Sequence, residues 1–373
     1  METIDVGHEE QMCQSNDSTR LQRRAERSRL IQERYDAGQP LFTKTQLASL
    51  AEQIAHKSHL IQIKGMDGEM TYQPVAWDDF DDRETLSIEY KPIQRLVISS
   101  NCPVEPFMPS CSVNVGYTTL PPQKTPDQVS LTVDKMIEVF EKYRDTWWGS
   151  PEFIRFQHIL TCTPMPDGIN KVICFGLGDL SLDSGDDHHH RCRGHSEARC
   201  HIQHAVALFV AQILEKRFSR EIPVYCQDPE YTQASIELLH CAMVEEVLND
   251  PQGFLDVDEN TVVISIDPSI PVKQIITDLA RPAMIIWNDQ FPVEMDTMDW
   301  RYMRLPDGSG RWISPWMANP DSARTRKMEK DEYRSCPFPN DKVAMRNTRI
   351  LVKKASNGED ELAPCLHSSA QPS

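Results

Sequence analysis

The sequence lacks the features that identify several common classes of protein. It has no apolar run approaching the roughly 20 residues of a membrane span, and no hydrophobic segment at its N-terminus of the kind that directs secretion. Its 11 cysteines include no Cys-x-x-Cys pair, and several lie inside apolar runs. We therefore expect reduced, mostly buried thiols, a location in the cytoplasm or nucleus, and no membrane partner.

The motifs of common enzymes are also missing. The sequence contains neither a Gly-x-Ser-x-Gly elbow nor a His-Glu-x-x-His helix. The run from Gly176 to Asp179 fits neither phosphate-binding fingerprint, because Ser181 stands where the third glycine would be and no Gly-Lys-Ser/Thr follows. About 17 residues separate Gly178 from the next predicted helix, so that helix is not automatically presented to a phosphate. The sequence names no catalytic residue and no cofactor.

Positive charge is scarce. The 39 basic and 56 acidic residues give a net charge of -17, which argues against general affinity for nucleic acid. The exception is a predicted helix from Ser18 to Asp36, whose basic face carries Arg20, Arg23, Arg24, Arg27, Arg29 and Arg34. Glu26 and Glu33 are interleaved with these arginines. This favours a solvated helix face over a surface for an acidic partner or nucleic acid.

An apolar run that stops at two glycines is the clearest structural signal. Residues 171–175 predict a buried strand, and the long apolar helix from Ser196 to Arg217 with a second strand at Ile222–Cys226 completes a βαβ unit. Further strands are predicted at Thr261–Ile266 and Ala283–Trp287, the last of which closes the sheet. These elements predict a three-layer α/β fold with a mostly parallel, doubly wound sheet.

Outside this sheet the apolar pattern is weaker, and the 26 prolines indicate irregular segments. We predict disorder for residues 1–17, a helical and irregular extension for residues 18–125, the α/β domain for residues 126–292, and an irregular or partly disordered tail for residues 293–373. Strand candidates in the extension are Leu96–Ser99 and Ser112–Thr118.

Polar residues follow each predicted strand of the sheet. They are Gly176, Gly178 and Asp179 after the first strand, Asp228 after the second, and Asp267 and Asn288 after the later two. Because carboxyl ends of parallel strands share one edge, we expect these residues to meet in a ligand-binding crevice. Three aspartates favour a cationic or hydroxyl-bearing group over a bare phosphate. The alternative is that the acids only cap turns and helices.

A segment rich in histidine and acid, residues 183–204, raises the question of a metal site. Zinc sites use ligand pairs two to four residues apart, and only His201 with His204, or Cys200 with His204, has such spacing on a fixed element. A histidine run beside acids is more often a solvated insertion with weak metal affinity. We therefore predict no metal site.

An ordered set of motifs resembles the Sensitivity-to-Red-Light-Reduced-like (SRR-like) domain family. The set comprises GLGD at 176–179, Gln203 within the apolar helix, VYCQDP at 224–229 and TVVISI at 261–266, and the likeness covers about residues 130–292. The segment YDAGQPLFTKTQL at 35–47 resembles an N-terminal block of the fungal members.

The resemblance implies a regulatory or signalling protein without an agreed enzymatic activity, and therefore a protein partner. A small-molecule or nucleotide ligand stays open. The competing interpretation is an enzyme that uses a nucleotide or S-adenosylmethionine in the same crevice. Residues 244–248 could continue the preceding helix or form a short strand. Two family features are replaced in this sequence: a glycine before this segment, near Met243, and a histidine and cysteine pair after the strand at Thr261–Ile266, by residues 267–271.

Overall fold

The structure is a computed structural model, and it describes residues 22–23, 25–79, 84–97, 110–119, 132–181, 196–290, 301–304, 310–313, 318–339 and 344–355. The chain divides into two compact units. The first comprises residues 1–121 and 291–322, and the second comprises residues 122–290 and 323–373. This division differs from the predicted boundaries, because the unit that holds the α/β domain also takes in much of the predicted tail.

In chain order, the helices and strands up to residue 121 are α1 (25–36), α2 (Lys44–Ala55), β1 (Leu60–Lys64), β2 (Met70–Pro74), β3 (Glu84–Tyr90), α3 (Ile93–Leu96) and β4 (Val113–Thr119). The later elements are α4 (Val133–Trp148), α5 (Pro151–Cys162), β5 (Lys171–Phe175), α6 (Ser196–Phe218), β6 (Val224–Gln227), α7 (Gln233–Cys241), β7 (Glu246–Val247), α8 (Gln252–Asp256), β8 (Thr261–Ser265), α9 (Val272–Leu279), β9 (Met284–Asn288), β10 (Arg301–Arg304), β11 (Gly310–Ile313), α10 (Ala323–Glu332), β12 (Tyr333–Pro337) and β13 (Thr348–Lys353).

The first unit is built from two-stranded antiparallel ribbons and short helices. The strand pairs are β1 with β2, β3 with β4, and β10 with β11. The predicted basic helix is present over residues 25–36, where Arg27 pairs with Asp67 and Arg29 with Glu33. The strand predicted at Leu96–Ser99 is wrong at its start, because Leu96 ends the short helix α3; residues 98–99 lie outside the described residues.

The second unit contains a seven-stranded sheet in the order β12-β13-β9-β8-β5-β6-β7. The five strands from β9 to β7 are parallel to one another, and β13 and β12 add antiparallel strands beyond β9. This confirms the predicted α/β fold with a mostly parallel sheet. β5 lies between β8 and β6, as its unbroken apolar run requires, since a strand covered on both faces has no place for a polar side chain.

Helices cover both faces of the sheet. On one face, Val172 and Cys174 of β5 pack in the same core as α6. On the other face, Phe175 stacks on Phe254 of α8 with the ring centroids 4.4 Å apart. The alternation of side chains along β5 thus feeds two cores, and the three-layer arrangement follows.

The prediction that Ala283–Trp287 closes the sheet is wrong. Beyond β9 the sheet continues with β13 and β12, both drawn from the predicted irregular tail, and α10 packs beside them. The sequence signal for this region is weak for physical reasons. α10 reads ARTRKMEKDE, in which Met328 is the only apolar side chain that it buries, and β12 ends on a proline, which suits an edge strand.

Candidate functional site

The carboxyl ends of the parallel strands form one edge of the sheet, which we call the rim. Gly176 and Gly178 follow β5 there with φ angles of +65° and +85°, in the left-handed region that favours glycine. Close neighbours reinforce the requirement. A Cβ on Gly176 would lie 2.7 Å from the Cβ of Pro268, and a Cβ on Gly178 would lie 2.5 Å from the Cys200 sulfur. Both glycines are therefore needed for packing.

Asp179 is buried at the rim, and its carboxylate is occupied by internal donors. Oδ1 accepts hydrogen bonds from the Thr232 N–H at 3.0 Å, the Thr232 hydroxyl at 3.1 Å and the Ser235 hydroxyl at 2.5 Å. Oδ2 accepts from the N–H and the hydroxyl of Ser181. Asp179 therefore ties the turn after β5 to the start of α7, which is a structural task.

Asp228 follows β6 and holds two turns in place. Its Oδ2 accepts the Gly178 N–H at 2.8 Å and its Oδ1 accepts the Glu230 N–H at 2.9 Å. Burial raises the pKa of this carboxyl to about 6, against the opposing effect of the two N–H donors. Asp228 and Asp179 are thus brought together around Gly178, and we call this group the acid side of the rim.

Asp267 and Asn288 lie at the other part of the rim, after β8 and β9. The Asp267 N–H donates to Asn288 Oδ1 at 2.6 Å, and the Asp267 carboxylate pairs with the Arg199 guanidinium at 2.6 Å. Asp267 has a φ of +48°, which aspartate tolerates better than most residues. The six predicted site residues therefore fall into two groups, one after β5 and β6 and one after β8 and β9.

Two residues at the rim were missed from the sequence. Arg199 lies in the first turn of α6, and a cation at the start of the helix that follows β5 was a signal that could have been found. Thr348 begins β13, pairs in register with Asn288 and is only 8% exposed. Its place at the rim depends on a strand that the sequence did not predict. We call Arg199, Asn288 and Thr348 the donor side of the rim.

Titratable groups beneath the acid side are held neutral by burial. His204 Nε2 lies 2.8 Å from the Tyr231 hydroxyl, and its Nδ1 lies 2.7 Å from the carbonyl oxygen of Cys200. Burial lowers the pKa of His201 and of His204 to about 4, and it raises the pKa of the Cys200 thiol to about 12. These groups are packing partners in the folded state at neutral pH.

The prediction of no metal site concerns residues 183–204, which include Cys200, His201 and His204. Residues 182–195, which include most of the histidine run, lie outside the described residues. Within the part of the chain that the structure describes, no three histidine, cysteine or acidic side chains come together in a way that could hold a metal ion. Among these residues, the His204 ring is bonded on both nitrogens and the His201 ring stacks on Tyr143.

Part of the chain also matches a known domain in sequence. A family model described as the SRR1 domain matches residues 138–344, just over half of the chain. No curated protein sequence matches. Among the described residues, no helix combines the length and apolar character needed to cross a membrane.

Two solved structures show a distant likeness. One is a Listeria monocytogenes protein described as a class I S-adenosylmethionine-dependent methyltransferase, with 12% identity over 61% of this chain and 70% of that chain and a TM-score of 0.29. The other is the complex of the Haloferax volcanii Trm112 methyltransferase activator with a protein described as a methyltransferase, with 12% identity over 59% of this chain and 98% of that chain and a TM-score of 0.28. At such TM-scores neither bears on what this chain does.

Proposed function

This chain belongs to the SRR1 domain family, and from that premise we propose that it is a regulatory protein of the cytoplasm or nucleus that binds its ligand or partner at the rim without converting it. The fungal type within the family stays a prediction.

The internal occupation of the acid side carries this proposal. A general base needs a carboxylate oxygen within reach of a substrate proton. Asp179 is buried, and both of its oxygens already accept hydrogen bonds from Ser181, Thr232 or Ser235. Asp228 likewise accepts one backbone N–H on each oxygen. These contacts favour binding over carboxylate-assisted chemistry.

The cysteines support a reducing compartment. Cys111, Cys162, Cys174, Cys200, Cys226, Cys241 and Cys336 are all free thiols, and five of the seven are buried. Cys174 and Cys226 are even paired in register on adjacent strands without a disulfide. Such thiols are typical of cytoplasmic and nuclear proteins.

A second candidate is a transferase that uses a nucleotide or S-adenosylmethionine at the same rim. The observation that favours it is Asp228, which stands at the end of the second strand, where nucleotide-binding folds place a ribose-binding carboxylate. Its raised pKa of about 6 would also suit a proton carrier near neutral pH.

One experiment separates the two candidates. The purified chain is incubated with ATP, NAD and S-adenosylmethionine in turn, and its melting temperature is recorded. Each mixture is then supplemented with a deproteinised cell extract as the source of acceptor and examined by mass spectrometry for products. The regulatory proposal expects at most stabilisation without conversion. A product that forms with the wild type and is lost with Asp228→Asn would establish the transferase instead.

A further inference from the structure

Thr348 buries a hydroxyl group that has no hydrogen-bond partner among the residues that the structure describes. Its Oγ1 is buried there without a partner, and the residue as a whole is 8% exposed. Buried polar atoms are nearly always hydrogen-bonded, because an unpaired one forfeits its bonds to water. An orphan at the rim of an α/β sheet therefore indicates a partner that is not part of this chain's described residues.

The register of the sheet fixes the direction in which Thr348 points. Thr348 is opposite Asn288, so the two side chains project from the same face. Ile350, two residues along β13, packs in the core with α6, so this face is the one that α6 covers. The Thr348 hydroxyl therefore lies on the α6 side of the sheet, at the rim.

Two further side chains near Thr348, those of Asn288 and Arg199, have N–H groups that are not used in hydrogen bonds among the described residues. Asn288 uses its Oδ1 to accept the Asp267 N–H, and its Nδ2 has no partner among the described residues. Arg199 uses Nη2 for Asp267 and for the carbonyl oxygen of Ile266, while its Nε and Nη1 have no partner among these residues. Asn288 projects from the sheet face that α6 covers, and Arg199 belongs to α6 itself.

The start of α6 adds to this set. α6 has 23 residues and begins on the carboxyl side of β5, so its N-terminus is at the rim. The first N–H groups of a helix have no partner within it, and they carry a partial positive charge. This end of the helix favours an anion on general grounds, and the Thr348 orphan is the independent sign of a bound group.

We propose that the donor side of the rim, formed by Arg199, Asn288 and Thr348, binds an anionic group, a phosphoryl or a carboxylate, of a small ligand. The inference rests on the proposed function and names the chemistry of the ligand. It reverses the expectation that the three aspartates of the rim would favour a cationic ligand. Those carboxylates already accept hydrogen bonds from the chain, and the groups that remain unused are hydrogen-bond donors. In the absence of a bound anion Asp267 pairs with Arg199, and it therefore competes with the anion for the guanidinium.

The test uses simple anions as probes on the full chain. Melting temperature is measured against increasing sodium phosphate, sodium acetate and sodium chloride at matched ionic strength. We expect phosphate or acetate, but not chloride, to raise the melting temperature saturably, by about 2 °C or more at tenfold above the dissociation constant. The stronger of the two probes identifies the anionic group as phosphoryl or carboxylate.

Three variants locate the binding. Arg199→Gln should weaken binding by about tenfold or more, and Thr348→Val by about threefold to tenfold, since it removes a single hydrogen bond. Asp267→Asn should tighten binding by about threefold to tenfold, because it removes the competing charge and asparagine also accepts a positive φ. Lys216→Gln, which removes an exposed charge at the far end of the same helix, should leave the affinity unchanged.

Opposite responses of Arg199→Gln and Asp267→Asn cannot arise from a general loss of fold. The inference is overturned if neither probe stabilises the wild type, or if Lys216→Gln weakens binding as much as Arg199→Gln does. If the anion site is overturned in this way, a nucleotide that stabilises the chain without being converted would still support the proposed function. Conversion of a nucleotide would overturn the proposed function and leave the anion site standing.

Discussion

The acid side and the donor side of the rim differ in whether their polar groups have hydrogen-bond partners within the chain. On the acid side, every oxygen of Asp179 and Asp228 accepts at least one hydrogen bond from the chain itself. On the donor side, Thr348 Oγ1 is buried without a partner, and Asn288 and Arg199 retain unused donors among the described residues. Both sides occupy the same edge of one sheet.

The contrast indicates where to look for function along the edge of a parallel sheet. A buried polar group whose partners are all internal stabilises the fold, whereas one that is left incomplete lowers stability until something binds. The residue types at this rim are misleading on their own. Three carboxylates suggest a cation site, but two of them, Asp179 and Asp228, already accept hydrogen bonds from neighbouring turns of the chain. Variants of both sides test this contrast, and the largest effect is expected in the core beneath the acid side.

Phe175→Ala should have the largest effect. Phe175 is the last residue of β5, is 1% exposed and stacks on Phe254. Its truncation should lower the free energy of unfolding by about 3–5 kcal/mol, the range for deleting a buried Phe. Urea denaturation measures the loss. Ile154→Ala, at an exposed position of α5, is the matched control and should change stability by less than about 0.5 kcal/mol.

Asp179→Ala should follow, with a loss of about 3 kcal/mol, because it strands the buried donors of Thr232 and Ser235. Asp267→Asn is the matched control at the other side of the rim. Asp267 is exposed in a salt bridge, so its loss should cost less than about 1 kcal/mol. Equal costs for the two variants, measured by urea denaturation, would remove the distinction between the two sides.

The pH dependence of stability should be the next largest effect. His201 and His204 have folded pKa values of about 4 and unfolded values near 6.5, so their contribution to stability is lost as the pH falls through this window. Asp228, with a folded pKa of about 6, works in the opposite direction between about pH 6 and 4. The two histidines outweigh it, and we expect a net loss of about 2 kcal/mol from pH 7 to pH 5.

Denaturation of two variants at pH 7 and pH 5 checks the sign. Asp228→Asn removes the opposing contribution, so its loss of stability on acidification should exceed that of the wild type. His201→Gln should lose less. A wild type that becomes more stable at pH 5 would show that the histidines are accessible to protons in the folded state.

Thr348→Val should have the smallest effect on stability and tests the contrast between the two sides most directly. Valine has nearly the shape of threonine and carries no hydroxyl to leave unpaired, so the free energy of unfolding should stay within about 0.5 kcal/mol of the wild type or rise. Thr277→Val is a matched control, because the Thr277 hydroxyl donates to the Lys273 carbonyl oxygen and lies near Thr325. That variant should lose about 1 kcal/mol. A similar loss at Thr348 would mean that its hydroxyl is already satisfied.

Much of the α/β fold could be predicted from local pattern. Apolar runs located β5, β8 and β9, and the apolar face of α6 located the helix between β5 and β6, because these elements are covered by protein and their sequences show it. β13 and α10 were missed. α10 buries Thr325 and Glu329 beside Met328, and polar residues that are buried through pairing leave no hydrophobic period.

The position of the six predicted residues at the rim followed from topology, but their hydrogen-bond partners did not. The residues after each strand could be placed at the rim by topology. The occupation of Asp179 by Thr232 and Ser235, more than 50 positions away in sequence, could not be inferred without coordinates. The same holds for Thr348, whose role depends on its pairing with Asn288 across 60 positions of the chain.

β13 is synthesised well after β9, its neighbour in the sheet, and this affects how the protein folds on the ribosome. Asn288, the end of β9, precedes Lys353, the end of β13, by about 65 residues, which a ribosome takes roughly 3 to 13 s to add. During that interval β9, whose five residues are all buried in the finished sheet, is an unprotected apolar edge. Nascent chains that stop between residues 290 and 347 should therefore depend on chaperones far more than the full-length chain does.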